Sequence, residues 1–124
     1  MGINRFEDMK VWKSARALNR EIYSLSGMGK FSRDFGLRDQ IRRASVSILS
    51  NIAEGFDGQS NPVFVRFLGS ARASAAEVRA QLYSALDVGY ITQLEFDKLH
   101  SQVIEVSRQL TGLIKYLRRS NYKK

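Results

Sequence analysis

Cysteine is absent from the 124-residue chain, so a disulfide framework, thiol catalysis and thiolate zinc sites are excluded, and the composition suits a reducing compartment. Histidine occurs once, at His100, which leaves no material for a histidine metal cluster or a histidine-based triad. His100 therefore reads as a partly exposed structural residue on a helix flank. Proline also occurs once, as Pro62, and most of the chain is free of helix breakers. No apolar run approaches the ~18 residues of a membrane span. The start, MGINRFEDMKVW, is charged early and has no apolar signal core. A soluble, cytoplasmic protein with no membrane partner is expected. The glycine stretches GMGKF and GFDGQ lack the spacing and the preceding strand of a phosphate loop. Glu7 and Asp8 form a carboxylate pair near a helix start, where capping or solubility explains them better than acid-base work. These readings leave no catalytic residue, no metal site and no cofactor.

Positive charge is what the chain does have. Lys and Arg number 20 against 12 Asp and Glu, a net charge of +8 with a pI near 10.1. Such a balance favours a polyanionic partner, weighed against a basic surface that is merely solvated. The length and the 44% hydrophobic content fit one domain over residues 1–124. A chain this short still exposes much of its surface, so self-association is a natural way to bury more.

Pro62 and the glycines of GMGKF, GFDG and VGYI cut the chain into four long segments, each with helical period. The first carries Val11, Trp12, Ala15, Leu18, Ile22 and Leu25 on one stripe, and the second Leu37, Ile41, Ala44, Ile48 and Ile52. In the third, Asn61 is placed to cap and Pro62 to occupy the first helical position, ahead of Phe64, Phe67, Leu68, Ala71, Ala75, Val78, Leu82 and Leu86. Gly89 is positioned as its stop. The fourth opens on TQLE, where Thr92 and Glu95 match a capping box, and continues with Phe96, Leu99, Val103, Val106, Leu110, Leu113 and Leu117. Nothing alternates with period two for long. The prediction is an all-α, antiparallel up-and-down four-helix bundle, fraying over residues 120–124.

Two helices carry more than one core-like face. In QIRRASVSILSNIAEGF the small and apolar arc spans roughly 200° at 100° per residue, wider than one bundle core needs. Arg42 lies at its margin, and Arg43, Asn51 and Glu54 lie opposite. The arginines either snorkel or pair with a carboxylate such as Glu54 across an interface. Within one helix Arg43 and Glu54 stand about 16 Å apart at ~1.5 Å per residue, so that pair needs a second helix or subunit. SNIAEG reads as architectural, with Gly55 placed to end the helix or admit a close neighbour. In the third segment Gly69, Ala73, Ala76 and Ala80 form a small-residue seam opposite the core stripe, either an interface or plain helix-forming filler. A homo-oligomer is expected, with Arg42, Arg43, Asn51, Glu54 and this seam as candidate contacts.

The charge is uneven along the chain. Residues 1–30 carry six basic and three acidic residues and 90–124 seven and three, whereas 31–60 are balanced at four each and 61–89 hold three and two. On the first helix Lys13, Arg16 and Arg20 share a face bordered by Trp12 and Tyr23. On the fourth, Arg108, Lys115 and Arg119 lie within about 40° of one another, away from the core, followed by Lys123 and Lys124. These six side chains are the candidate phosphate contacts, with aromatics alongside for stacking.

The segments FEDMKVWKSARALNREIY, LRDQIRRASVSILSNIAEGF and FLGSARASAAEVRAQLYSALDVGYI resemble the small bundle proteins encoded in intervening sequences of bacterial large-subunit ribosomal RNA genes. SNIAEG following QIRRAS is the most specific part. The resemblance implies an up-and-down bundle, a homopentameric ring and a nucleic-acid role. The chain is also similar to accessory proteins of diversity-generating retroelements, in which a basic pentamer binds nucleic acid and a reverse transcriptase. At Leu49 the family commonly has proline, so a kink there is not expected. A non-enzymatic, oligomeric RNA- or DNA-binding accessory protein is the expected function, with a structural or protein-interaction module as the alternative.

Overall fold

Apolar residues every three or four positions bury most surface when four such stripes face one another, and the chain adopts that solution. The computed structural model describes all residues except Met1, Gln59, Lys123 and Lys124. Helix α1 spans Lys10–Ser26, α2 Phe35–Phe56, α3 Asn61–Asp87 and α4 Gln93–Tyr122, with short 3₁₀ turns at Phe6–Asp8 and Phe31–Arg33. Among the described residues there is no strand. Each helix packs on its neighbours in sequence, and α1 closes the square against α4. Pairs of cross-helix contacts fix antiparallel directions: Asn19–Ser45 with Ser26–Arg42 for α1 and α2, Ser47–Ser74 with Gly55–Phe64 for α2 and α3, Arg72–Thr111 with Tyr83–His100 for α3 and α4. Glu21 with Lys98, and Lys10 beside Gln109 and Gly112, do the same for α1 and α4.

The buried core follows the stripes closely. Leu18, Ile22, Ile41, Ile48, Ile52, Leu68, Val78, Leu82, Leu99, Val103, Val106 and Leu110 are wholly enclosed, each Leu or Ile contributing roughly 1.5–3 kcal/mol by leaving water. The stripe of α4 departs at its end. Leu113 is half-buried and Ile114 takes the core position instead, because a step of four from Leu110 keeps the side chain on the inward face where a step of three carries it toward α1. Helical bonding continues to Tyr122, since no glycine or proline stops it, and Lys123 and Lys124 of the SNYKK tail lie outside the described residues. Helix α2 is one uninterrupted helix through Leu49.

The helix ends show how local chemistry sets the boundaries. Thr92 and Glu95 form the reciprocal box, Thr92 Oγ1 accepting from the Glu95 amide at 3.1 Å and Glu95 Oε1 from the Thr92 amide at 2.9 Å. After α3, Gly89 adopts φ +78°. The Tyr90 amide bonds back to the Ala85 carbonyl and that of Gly89 to Leu86, the paired closure that a left-handed residue permits. The cap of α3 is Ser60 and not Asn61. Ser60 Oγ accepts from the Val63 amide at 3.3 Å, placing Asn61 inside the helix, where its amide reaches the Leu117 carbonyl at 3.4 Å. Glu7 and Asp8 do not cap α1, whose N-cap position is Met9, without a side-chain acceptor. Glu7 pairs with Arg5 at 2.9 Å.

Asp34 ties together the two helix connections at one end of the bundle. Its Oδ1 caps α2 by accepting from the Leu37 amide, and its Oδ2 accepts from the Tyr90 hydroxyl at 2.9 Å, while Tyr90 stacks on Phe31 at 5.4 Å. The amide bond first, and then the phenol, hold the Asp34 carboxyl below its usual range, and the same bond holds the Tyr90 phenol above its own. A depressed carboxylate stabilises the fold above its unfolded pKa and loses that contribution as pH falls through the folded value. A raised phenol stabilises below its unfolded pKa and loses it as pH rises. Tyr90→Phe keeps the stack and removes the bond. Its melting temperature is expected below the parent's by a constant amount between about pH 5 and 9, with the gap narrowing below ~4 and above ~10. Thermal melts by circular dichroism across that range check this; a gap that ignores pH would contradict it.

Candidate nucleic-acid interface

The outward face of α1 carries Lys13, Arg16 and Arg20, all exposed, and among the described residues none forms an ion pair. The aromatics beside them are occupied. Trp12 is half-buried with its ring edge-on to Phe6 at 4.7 Å, and the Arg42 guanidinium covers the Tyr23 ring at 4.5 Å. This face therefore offers charge more than stacking. On α4, Arg108, Lys115 and Arg119 are exposed on the outward side. Arg108 touches Glu105 at 3.2 Å, with both side chains largely in water, a pair worth at most about 1 kcal/mol that a phosphate can displace. Because α1 and α4 are neighbours and antiparallel, Lys10 lies level with Gln109 and Gly112. Lys10 stands on the wall of the groove between them, and the two stripes lie on the outward faces of the helices to either side of it, outside its lining.

The candidate contact residues gather on the other side of the bundle. Ala73, Ala76 and Ala80 are exposed on the outward face of α3, and a Cβ at Gly69 would meet nothing within 4 Å. Beside them Arg43 is exposed and lines a polar groove between α2 and α3 with Glu77 across from it. Asn51 donates to the Ser47 carbonyl at 2.8 Å and to its hydroxyl at 3.1 Å, and Glu54 is exposed without an ion pair among the described residues. Arg42 stands apart on the α1 side. Its Nε donates to Ser26 Oγ at 2.8 Å and its Nη2 to the Tyr23 carbonyl at 3.2 Å, so its charge meets the negative end of α1. Gly55 of SNIAEG is buried where α3 crosses close to α2.

His100 is half-buried, stacked on Phe96 at 5.3 Å and edge-on to Tyr83 at 5.9 Å. Among the described residues no group of three His, Asp or Glu side chains converges to hold a metal, and no helix is long and apolar enough to cross a membrane. The family model described as 23S rRNA-intervening sequence protein matches residues 7–112, which takes in α1, α2, α3 and most of α4. The chain belongs to that family. A solved structure from Bacteroides thetaiotaomicron, described as a protein of unknown function from the S23 ribosomal protein family, is similar to this family member. The two share 25% identity and a TM-score of 0.77 over 85% of this chain and 98% of that one. No curated protein matches. What the sequence of this 23S rRNA-intervening sequence protein did not show is the groove between α1 and α4, lined by Ile3, Met9, Val11, Gly112 and Leu113. Its signal was slight: Gly112 is a mid-helix glycine that ends nothing.

Proposed function

We propose that this 23S rRNA-intervening sequence protein is a non-enzymatic accessory protein that holds RNA or DNA on the α1–α4 side of its bundle. The observation that carries this reading is the pairing of two exposed basic stripes on adjacent helices, which concentrates the charge of the chain on one side. Phosphate contacts of this kind supply affinity without reading bases. The S23 ribosomal protein name of the solved relative agrees with a polyanionic partner. Self-association belongs to the α2–α3 side in this reading, through the Gly69, Ala73, Ala76 and Ala80 seam with Arg43, Asn51 and Glu54, while Arg42 serves α1. A ring of five, as the family resemblance implies, would repeat the basic face and give avidity for a long strand. The test is titration of labelled RNA and DNA strands at stepped salt with charge-neutralised variants. Binding that falls steeply with salt supports the reading. No binding even at ~50 mM salt would leave a protein-interaction module as the better account.

A further inference from the structure

We infer that the groove between α1 and α4 is a slot for one unpaired nucleobase, so that the basic face takes single-stranded nucleic acid in preference to duplex; this rests on the polyanion reading above. The groove holds about 290 Å³, just under the ~300–1,000 Å³ typical of ligand pockets. That is room for a flat ring and too little for a helix about 10–12 Å across. Its floor is apolar, made by Met9, Val11 and Leu113. Gln109 stands on the α4 wall, and a side-chain amide carries both a donor and an acceptor for the edge of a base.

Gly112 opens the slot. A Cβ there would meet nothing within 4 Å, and its φ is not positive, so neither crowding nor backbone conformation within the chain requires glycine. In a helix interior, glycine sacrifices up to about 1 kcal/mol relative to alanine. Close approach of an outside group explains the gap. Tyr116, 44% exposed, follows one turn on, and helical side chains tilt toward the N-terminus, which brings its ring back toward Gly112. Aromatic faces of this kind stack on bases without regard to sequence. Charge selects the occupant. Lys10 lines the groove, while Arg108 and Lys115, four before and three after Gly112, are its neighbours on the helix surface. An apolar slot with a lysine on its wall and two more cations a turn away on the helix surface fits a ring attached to a phosphate chain.

An abasic strand separates base from phosphate. Fluorescence anisotropy compares a single strand of about 12 nucleotides, in ribo- and deoxyribo- forms, with an abasic strand of equal phosphate count and with duplex. The parent is expected to bind at least one base-bearing form about tenfold more tightly than the abasic strand. Gly112→Leu, which fills the slot with a good helix former, should abolish that preference and leave abasic binding unchanged. Equal binding of base-bearing and abasic strands by the parent overturns the slot and leaves the phosphate reading standing; absence of all binding overturns both. A preference that survives Gly112→Leu overturns the slot as well. Should that variant fail to fold by circular dichroism, Tyr116→Ala reads the same quantity: a reduced preference supports the slot and an unchanged one overturns it. An acidic, tryptophan-bearing peptide is the remaining arm. Peptide binding that Gly112→Leu abolishes, with no preference among strands, would assign the groove to a protein partner and overturn the inference.

Discussion

Replacing Arg108, Lys115 and Arg119 together with Gln is expected to weaken single-strand binding about 100-fold near 0.1 M salt, because each lost phosphate contact lowers the log–log salt slope by roughly 0.7 and three contacts amount to about two units. All three side chains are exposed and none belongs to the core, so folding is expected to survive. The ion pair of Arg108 with Glu105 disappears too, at a cost of less than about 1 kcal/mol. Isothermal titration at several salt concentrations measures both affinity and slope. Arg33, Arg66 and Arg79 are exposed and lie outside α1 and α4; replaced with Gln they remove the same charge, and a much smaller loss is expected. Light scattering on each variant, with the parent expected at a multiple of 14.1 kDa, shows that assembly is unchanged. Equal losses in both triples would mean that net charge acts without a defined face.

Gly55→Ala is expected to destabilise the bundle, although alanine is normally the better helix residue by about 1 kcal/mol. An added Cβ would lie 2.8 Å from Phe67 Cβ and 2.9 Å from Phe64 Cδ1. Phe67 Cβ is fixed to the backbone of α3 and cannot rotate aside, so α2 and α3 must part at this close crossing. Overpacking of that kind costs roughly 1–3 kcal/mol, which outweighs the propensity gain and lowers the melting temperature. The same substitution at Gly112, where nothing stands within 4 Å, should raise it by reducing unfolded-state freedom. Opposite signs for one substitution at two helical glycines form a sharp check by urea or thermal melts; stabilisation at both would mean that α2 and α3 are less tightly apposed at Gly55 than the packing indicates.

Much of the architecture was legible because helical burial has a period. The stripes from Val11 to Leu25 and from Leu37 to Ile52, the Thr92–Glu95 box and the Gly89 stop are all local patterns whose geometry needs no knowledge of the partner helix. Ile114 was missed because steps of three and of four from Leu110 both satisfy the period, and only the direction of the core decides between them. Arg42 illustrates a deeper limit. Its spacing fits a snorkelling margin or an interface pair equally well, and its bonds to Ser26 and Tyr23 exist only because α2 begins where α1 ends in space. The Asp34–Tyr90 link spans 56 positions, beyond any pattern. For the surfaces, residue spacing located the two basic faces. It could not show that α1 and α4 are adjacent, which is what puts the faces on neighbouring helices and creates a groove at Gly112.

The central claim is that one side of this bundle, between α1 and α4, holds nucleic acid. Ultraviolet cross-linking of the intact protein to a single strand, followed by mass spectrometric mapping of the modified peptides, tests it most directly. Cross-links are expected on the peptides carrying Lys10, Lys13, Lys115 and Tyr116, with α3 spared between Gly69 and Ala80. Cross-links concentrated on α2 and α3, with those four residues untouched, would contradict the account.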